Sequence, residues 1–179
     1  MTLWKHATLI LVAASMALTT AVAAPPAEQA TRVTCASIVP TTGELAAWMS
    51  PSNLTAATNP GRARHATLSP GQAANIVLAP TPHVHFAQTP GKQGGPETFG
   101  GVLRLRIAQA GNYRIGLSNA AWIDLVSGGS AVASSMHGHG PDCSGIHKLV
   151  DFALQPGTYT LQIVASADPR VRLVAVRAQ

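Results

Sequence analysis

Hydrophobic and polar positions alternate most cleanly between Val102 and Ala108, where Leu103, Leu105 and Ile107 fall on one side of an extended chain and Arg104 and Arg106 on the other. A period of two is the signature of a half-buried strand. The alternation recurs at Tyr113, Ile115 and Leu117, with Arg114 opposite, and at Tyr159, Leu161 and Ile163. Shorter extended runs are expected at Gln72–Leu78, Pro82–Ala87, Trp122–Val126, Ser130–Ser135, residues 147–154 and Val171–Val176. Turn chemistry separates them: Ser69-Pro70-Gly71, Ala110-Gly111-Asn112, Gly128-Gly129 and Pro156-Gly157. Thr89–Gly101 and Met136–Gly145, rich in Gly and Pro, read as exposed loops. About eight or nine short strands at regular spacing predict an all-β fold, a single β-sandwich or jelly roll.

The pattern is weaker toward the start, so the sandwich is expected over residues 67–179. Residues 24–66 read as a flexible N-terminal segment carrying a first strand at Arg32–Val39, a helical turn at Gly43–Met49 ended by Pro51, and a polar surface loop from Asn53 to His65. The first residues follow another logic. Lys5 and His6 precede an uncharged stretch from Ala7 to Ala24, and Ala21-Val22-Ala23 closes it with small residues. That three-part pattern predicts a signal peptide over residues 1–23, cleaved near Ala23. Thr19, Thr20 and several alanines make the far end too weak for a spanning anchor. A periplasmic or secreted domain of about 155 residues is the expected product, and no later apolar run is long enough to make it an integral membrane protein.

The net charge of +5 includes Lys5. The remaining basic bias is modest, its arginines are scattered and stacking aromatics are few, which argues against nucleic acid as a partner. Cys35 and Cys143 are the two cysteines, and an oxidising compartment favours a disulfide between them. The alternative is Cys143 as a metal ligand or free thiol.

Two hairpin phrases, Ala110-Gly111-Asn112-Tyr113-Arg114 and Leu154-Gln155-Pro156-Gly157-Thr158-Tyr159-Thr160-Leu161, resemble those of the pre-peptidase C-terminal type of exported sandwich. Ala121-Trp122-Ile123-Asp124 and the run from His137 to Ile146, with Lys148 and Phe152 after it, are similar to a group of small exported bacterial β-sandwich proteins of unknown role. The likeness spans roughly Leu68–Val176. Members of that group are sometimes labelled homogentisate 1,2-dioxygenase.

Histidine is the main source of ligands. His83 and His85, and His137 and His139, have the i, i+2 spacing that puts both rings on one face of a strand. Paired imidazoles can hold Cu, Zn or Fe, and His147 lies close enough in sequence to join, with Asp142 and Cys143 between. Each pair taken alone reads more simply as polar surface, His83 and His85 as the exposed face of a half-buried strand and His137 and His139 as part of a Gly-rich loop. A cupin-type iron dioxygenase acting on an aromatic diol would use His83 and His85 with a nearby Glu and a later His, but Glu97 lies far downstream across a Gly/Pro-rich loop. No Gly-x-Ser-x-Gly elbow or phosphate-binding Gly loop occurs. Trp122 and Asp124 point the same way on one strand, an arrangement that can hold a sugar ring, although a large aromatic more often fills a core. Arg104, Arg106 and Arg114 could form a basic stripe. The expected function is that of an exported accessory protein without catalysis. Its loop histidines would bind a transition metal or dock an envelope protein partner or small ligand, with a dioxygenase and a carbohydrate-binding or envelope-binding module as the alternatives.

Overall fold

The computed structural model describes Thr34–Ala178; the expected signal peptide lies outside the described residues. The strands are β1 (Ser52–Thr55), β2 (Thr67–Leu68), β3 (Gln72–Val77), β4 (Ala79–Pro80), β5 (Phe99–Ile107), β6 (Gly111–Leu117), β7 (Trp122–Ser127), β8 (Ser130–Val132), β9 (Met136–Gly138), β10 (Lys148–Leu154), β11 (Gly157–Ser166) and β12 (Arg170–Arg177). Three 3-10 turns join them: η1 (Gly43–Met49), η2 (Pro60–His65) and η3 (Thr81–His83). The first sheet has the order β1-β3-β12-β6-β10-β9 and the second β2-β5-β11-β7-β8, with β4 also pairing β5. The chain is therefore an all-β sandwich.

The alternating residues explain why two sheets meet. Leu103, Leu105 and Ile107 of β5, Leu161 and Ile163 of β11 and Ile123 and Leu125 of β7 face Ile76 of β3, Ile115 and Leu117 of β6, Phe152 of β10 and Leu173 of β12 in one buried cluster. Each fully buried side chain of this size contributes about 1.5–3 kcal/mol by leaving water. Tyr113 and Tyr159 enter the core while their hydroxyls reach back four residues, donating to Gln109 O at 2.7 Å and Gln155 O at 2.9 Å. That reach-back is the physical content of the two hairpin phrases. Gly128 and Gly129, both at positive φ, make the two-residue turn between β7 and β8.

Several boundaries differ from expectation. Thr34–Val39 is not a strand: Ile38 and Val39 are exposed, and the segment is held by Cys35 and by Val39 N–H donating to Cys143 O at 2.8 Å. Asn53–His65 is not simply a loop, because β1 pairs in parallel with β3 and η2 starts at Pro60, with the Asn59 side chain accepting from Arg62 N–H. The sandwich thus takes in η1, β1 and η2 instead of beginning at residue 67. Pro82 initiates a turn, so Pro82–Ala87 is η3 followed by irregular chain. β5 begins at Phe99, inside the expected loop, and β9 lies within the Gly-rich stretch.

Both sheets also bury part of their outer faces. On the first, η1 lays Leu45 and Trp48 over Ala73, Val174 and Val176. On the second, η2 and the segment after η3 place Ala63 and Val84 over Val102. A strap continues across the second sheet. Gln88 N–H donates to Gln162 Oε1 at 2.9 Å, the Gln88 side chain reaches Gly129 O, and Gly91 N–H donates to Asp124 Oδ2 at 3.1 Å.

Candidate functional site

The cysteines are joined: Cys35 and Cys143 form a disulfide with Cα atoms 5.4 Å apart. Cys143 is therefore neither a thiolate ligand nor a free thiol, and it lies at positive φ, a strained setting for a non-glycine residue. The bridge and the Val39–Cys143 hydrogen bond fasten residues 34–39 beside the 139–146 loop.

The histidines do not gather in one place. His83 ends η3, and His85 N–H donates to Thr58 O; both are exposed and belong to the elements over the second sheet. His137 is on β9, the edge of the first sheet, and is exposed. His139 and His147 come together, with ring centroids 6.0 Å apart edge to face and His139 Nδ1 3.3 Å from His147 O. Asp142 shares their shallow cleft. Among the described residues no group of three or more His, Cys, Asp or Glu side chains is arranged to hold a metal ion. The His83, His85 and Glu97 set needed for a cupin-type iron centre is not assembled either.

Trp122 is half-buried on the outer face of β7, not in the core between the sheets. Its Nε1–H donates to Asp124 Oδ1 at 2.8 Å, and the ammonium of Lys148 lies 4.9 Å from the ring centroid. A Cβ on Gly91 would come within 3.1 Å of the indole, so a larger residue there would push the ring or the strap outward by a few tenths of an ångström. Both Asp124 oxygens have protein donors. This pair anchors the strap. Burial, followed by the charge of Lys92, pushes the Lys148 amine below the usual lysine range, while Asp124 acts in the opposite direction.

The better-formed site lies on the first sheet where η1 stops covering it. Strand register sets Asn53 of β1 beside Asn75 of β3 and Asn75 beside Arg172 of β12. Ser118, just past β6, exchanges hydrogen bonds with the Arg172 backbone, its hydroxyl accepting from the N–H at 2.9 Å. One step along, Thr55, Val77 and Arg170 form a parallel row. Because side chains alternate along a strand, these residues share one outward face. Trp48, Ile38 and Gly145 wall it, giving an open cleft of about 780 Å³.

The geometry inside is ordered. Arg172 Nε–H donates to Asn75 Oδ1 at 2.9 Å, and its guanidinium sits 5.4 Å from the Trp48 ring centroid. Trp48 Nε1–H donates to Ser144 O at 3.0 Å, which ties the aromatic wall to the disulfide loop. Arg170, Asn53 and Thr55 are exposed, and no acidic residue lines the cleft. Such a surface offers amide, hydroxyl and guanidinium groups beside apolar Ile38 and Val77, with no nucleophile–base pair among its lining residues.

Sequence reasoning missed this site because its residues come from strands far apart in the chain. A faint signal was present: Asn53/Thr55 and Arg170/Arg172 are i, i+2 polar pairs flanking apolar residues. No helix among the described residues is long and apolar enough to cross a membrane.

No protein-family model matches the chain. No curated protein matches it either. Among solved structures it is similar to the pre-peptidase C-terminal domain of a collagenase from Bacillus anthracis, at 15% identity and a TM-score of 0.35, covering 62% of this chain and 92% of that one.

Proposed function

We propose that the protein is an exported, non-catalytic binding module that holds a saccharide of the cell envelope in the cleft formed by β1, β3 and β12. The observation that carries this reading is the row Asn53–Asn75–Arg172, flanked by Ser118, Thr55 and Arg170 and set between apolar walls. Planar amides and guanidinium groups make paired hydrogen bonds to neighbouring hydroxyls, and the apolar walls suit the C–H faces of a sugar ring. Export is supported by the leader pattern and by the disulfide, which fits an oxidising compartment. Calorimetric titration of the processed protein with soluble envelope oligosaccharides tests the reading. Binding is expected, and Asn53→Leu with Asn75→Leu should weaken it at least about tenfold, as the loss of two or more hydrogen bonds implies. Absence of binding, or equal binding by the double variant, contradicts it.

A second reading keeps a transition metal, Cu, Zn or Fe, at His139 and His147. It is favoured by the edge-to-face contact of the two imidazoles. Two imidazoles leave coordination positions for a ligand or a partner protein. Tag-free protein should then take up Zn²⁺ or Cu²⁺ and lose that uptake in His147→Ala; protein that ignores both ions overturns this reading.

A further inference from the structure

We propose that the uncovered end of the second sheet's outer face is an electrostatic docking surface for anionic phospholipid headgroups, separate from the cleft on the first sheet. Arg104 and Arg106 share the outward face of β5 with Val102. Val102 is covered by Ala63 of η2, so η2 lies on this same face, and the residues flanking Ala63, Arg62 and Arg64, are exposed there. Four guanidinium groups thus border one region of one sheet. In the neighbouring strand, Thr160 stands opposite Arg104 and Thr158 opposite Arg106, adding hydroxyls between the charges.

Among the described residues no carboxylate pairs with these arginines. Among the described residues the ion pairs within 4 Å are both made by Arg114, on the other sheet. The side chains of Arg104 and Arg106 have no hydrogen-bond partner in the described residues, and that of Arg64 donates only to Gly61 O. Of the outward positions on β5, β7 and β11, Asp124 is the one carboxylate, and it is engaged by Trp122 and Gly91.

The occupant follows from shape and charge. Arg62 and Arg64 stand exposed on η2, while Arg106 and Thr158 line an open cleft of about 650 Å³, so the charges spread over turn, strand and cleft rim, an extent that suits several headgroups better than one small ligand. Guanidinium groups bind phosphate oxygens in a bidentate fashion. The exposed large apolar residues, Ile38, Val39, Met49, Val77 and Met136, lie elsewhere, so the face is built to adsorb to a surface and not to insert. Among the described residues no exposed aromatic accompanies the arginines to stack on bases.

Co-sedimentation of the processed protein with vesicles tests this. One set contains phosphatidylcholine alone and the other adds phosphatidylglycerol to about a third of the lipid. Partition is expected only to the anionic vesicles and should fall steeply as salt is raised. Arg104→Gln with Arg106→Gln should lower it at least about tenfold, whereas Arg170→Gln, on the other sheet, should not change it. Unfolding midpoints confirm that the variants fold. Equal partition to both vesicle types, no partition at low salt, or wild-type partition by the Arg104/Arg106 variant overturns the proposal. So does binding of a soluble polyanion through the same arginines without vesicle binding.

Discussion

The two outer faces of the sandwich both display arginine at outward strand positions, yet their surroundings differ. On the first sheet, Arg114 of β6 is opposite Asp151 of β10 and donates to both its oxygens, at 2.8 and 2.7 Å, while a third contact at 2.5 Å reaches Glu44 of η1. The Asp151 hydrogen bonds, with the charges of both carboxylates, hold this guanidinium protonated above the usual arginine range against the opposing effect of burial. Arg172 is similarly committed to Asn75 and Trp48. On the second sheet, Arg104 and Arg106 have no such partners. Arg114 and Arg172 on the first face fix η1 and shape a cleft at whose rim Arg170 stands exposed, whereas Arg104 and Arg106 on the second are left for something outside the molecule. The expected basic stripe of Arg104, Arg106 and Arg114 is accordingly split between opposite sides of the core.

The sharpest way to disturb the first face is to cut the bridge that ties its rim. Cys35→Ser with Cys143→Ser opens a link across 108 residues and should cost about 3–5 kcal/mol in chemical denaturation, the loop-entropy value for a long ring. Next in size is Asp151→Ala, which strands Arg114 beneath η1. A loss of about 2 kcal/mol is expected, less than for a sealed ion pair because the Arg114 side chain keeps 22% exposure. Glu44→Ala should cost about 0.5 kcal/mol, since Asp151 remains. If both changes were equally costly, the pairing described for Arg114 would be wrong. On the second face, Arg104→Ala or Arg106→Ala should move stability by no more than about 0.5 kcal/mol.

A smaller effect belongs to Lys148, at the edge between the two sheets. Its amine is held below the usual lysine range, so over the alkaline window between its folded and unfolded values the unfolded chain binds more protons. Its contribution should therefore rise with pH there. Lys148→Met should flatten that slope in pH-dependent melting curves; an unchanged slope contradicts the burial described for the amine.

How far the sequence could be read follows from how each feature is encoded. β5, β6 and β11 were legible because their apolar residues alternate within one short window. The Tyr113 and Tyr159 hairpins were legible for the same local reason. β1, β4 and β9 were not, because two-to-four-residue strands gain their identity from a partner strand and not from a pattern of their own. Trp48 was passed over because its burial depends on η1 folding across β3 and β12. The disulfide was reachable from the cysteine count and the compartment argument. The histidine spacings did express a same-face pattern, but only on the assumption of strand; His83 closes a 3-10 turn, and the pair that does meet, His139 and His147, is joined by a loop whose path no periodicity specifies. The cleft was the least visible feature, since Asn53, Asn75 and Arg172 become neighbours only through parallel β1–β3 and antiparallel β3–β12 pairing.

The claim that recognition belongs to the first sheet is tested most directly by mapping backbone amide chemical shifts while a soluble envelope oligosaccharide is added. The shifts of Asn53, Thr55, Asn75, Ser118 and Arg172 should move together along one binding isotherm, with Trp122, Asp124, Arg104 and Arg106 unmoved. Perturbation centred on the Trp122–Asp124 pair, or no saturable change anywhere on β1, β3 and β12, would contradict it.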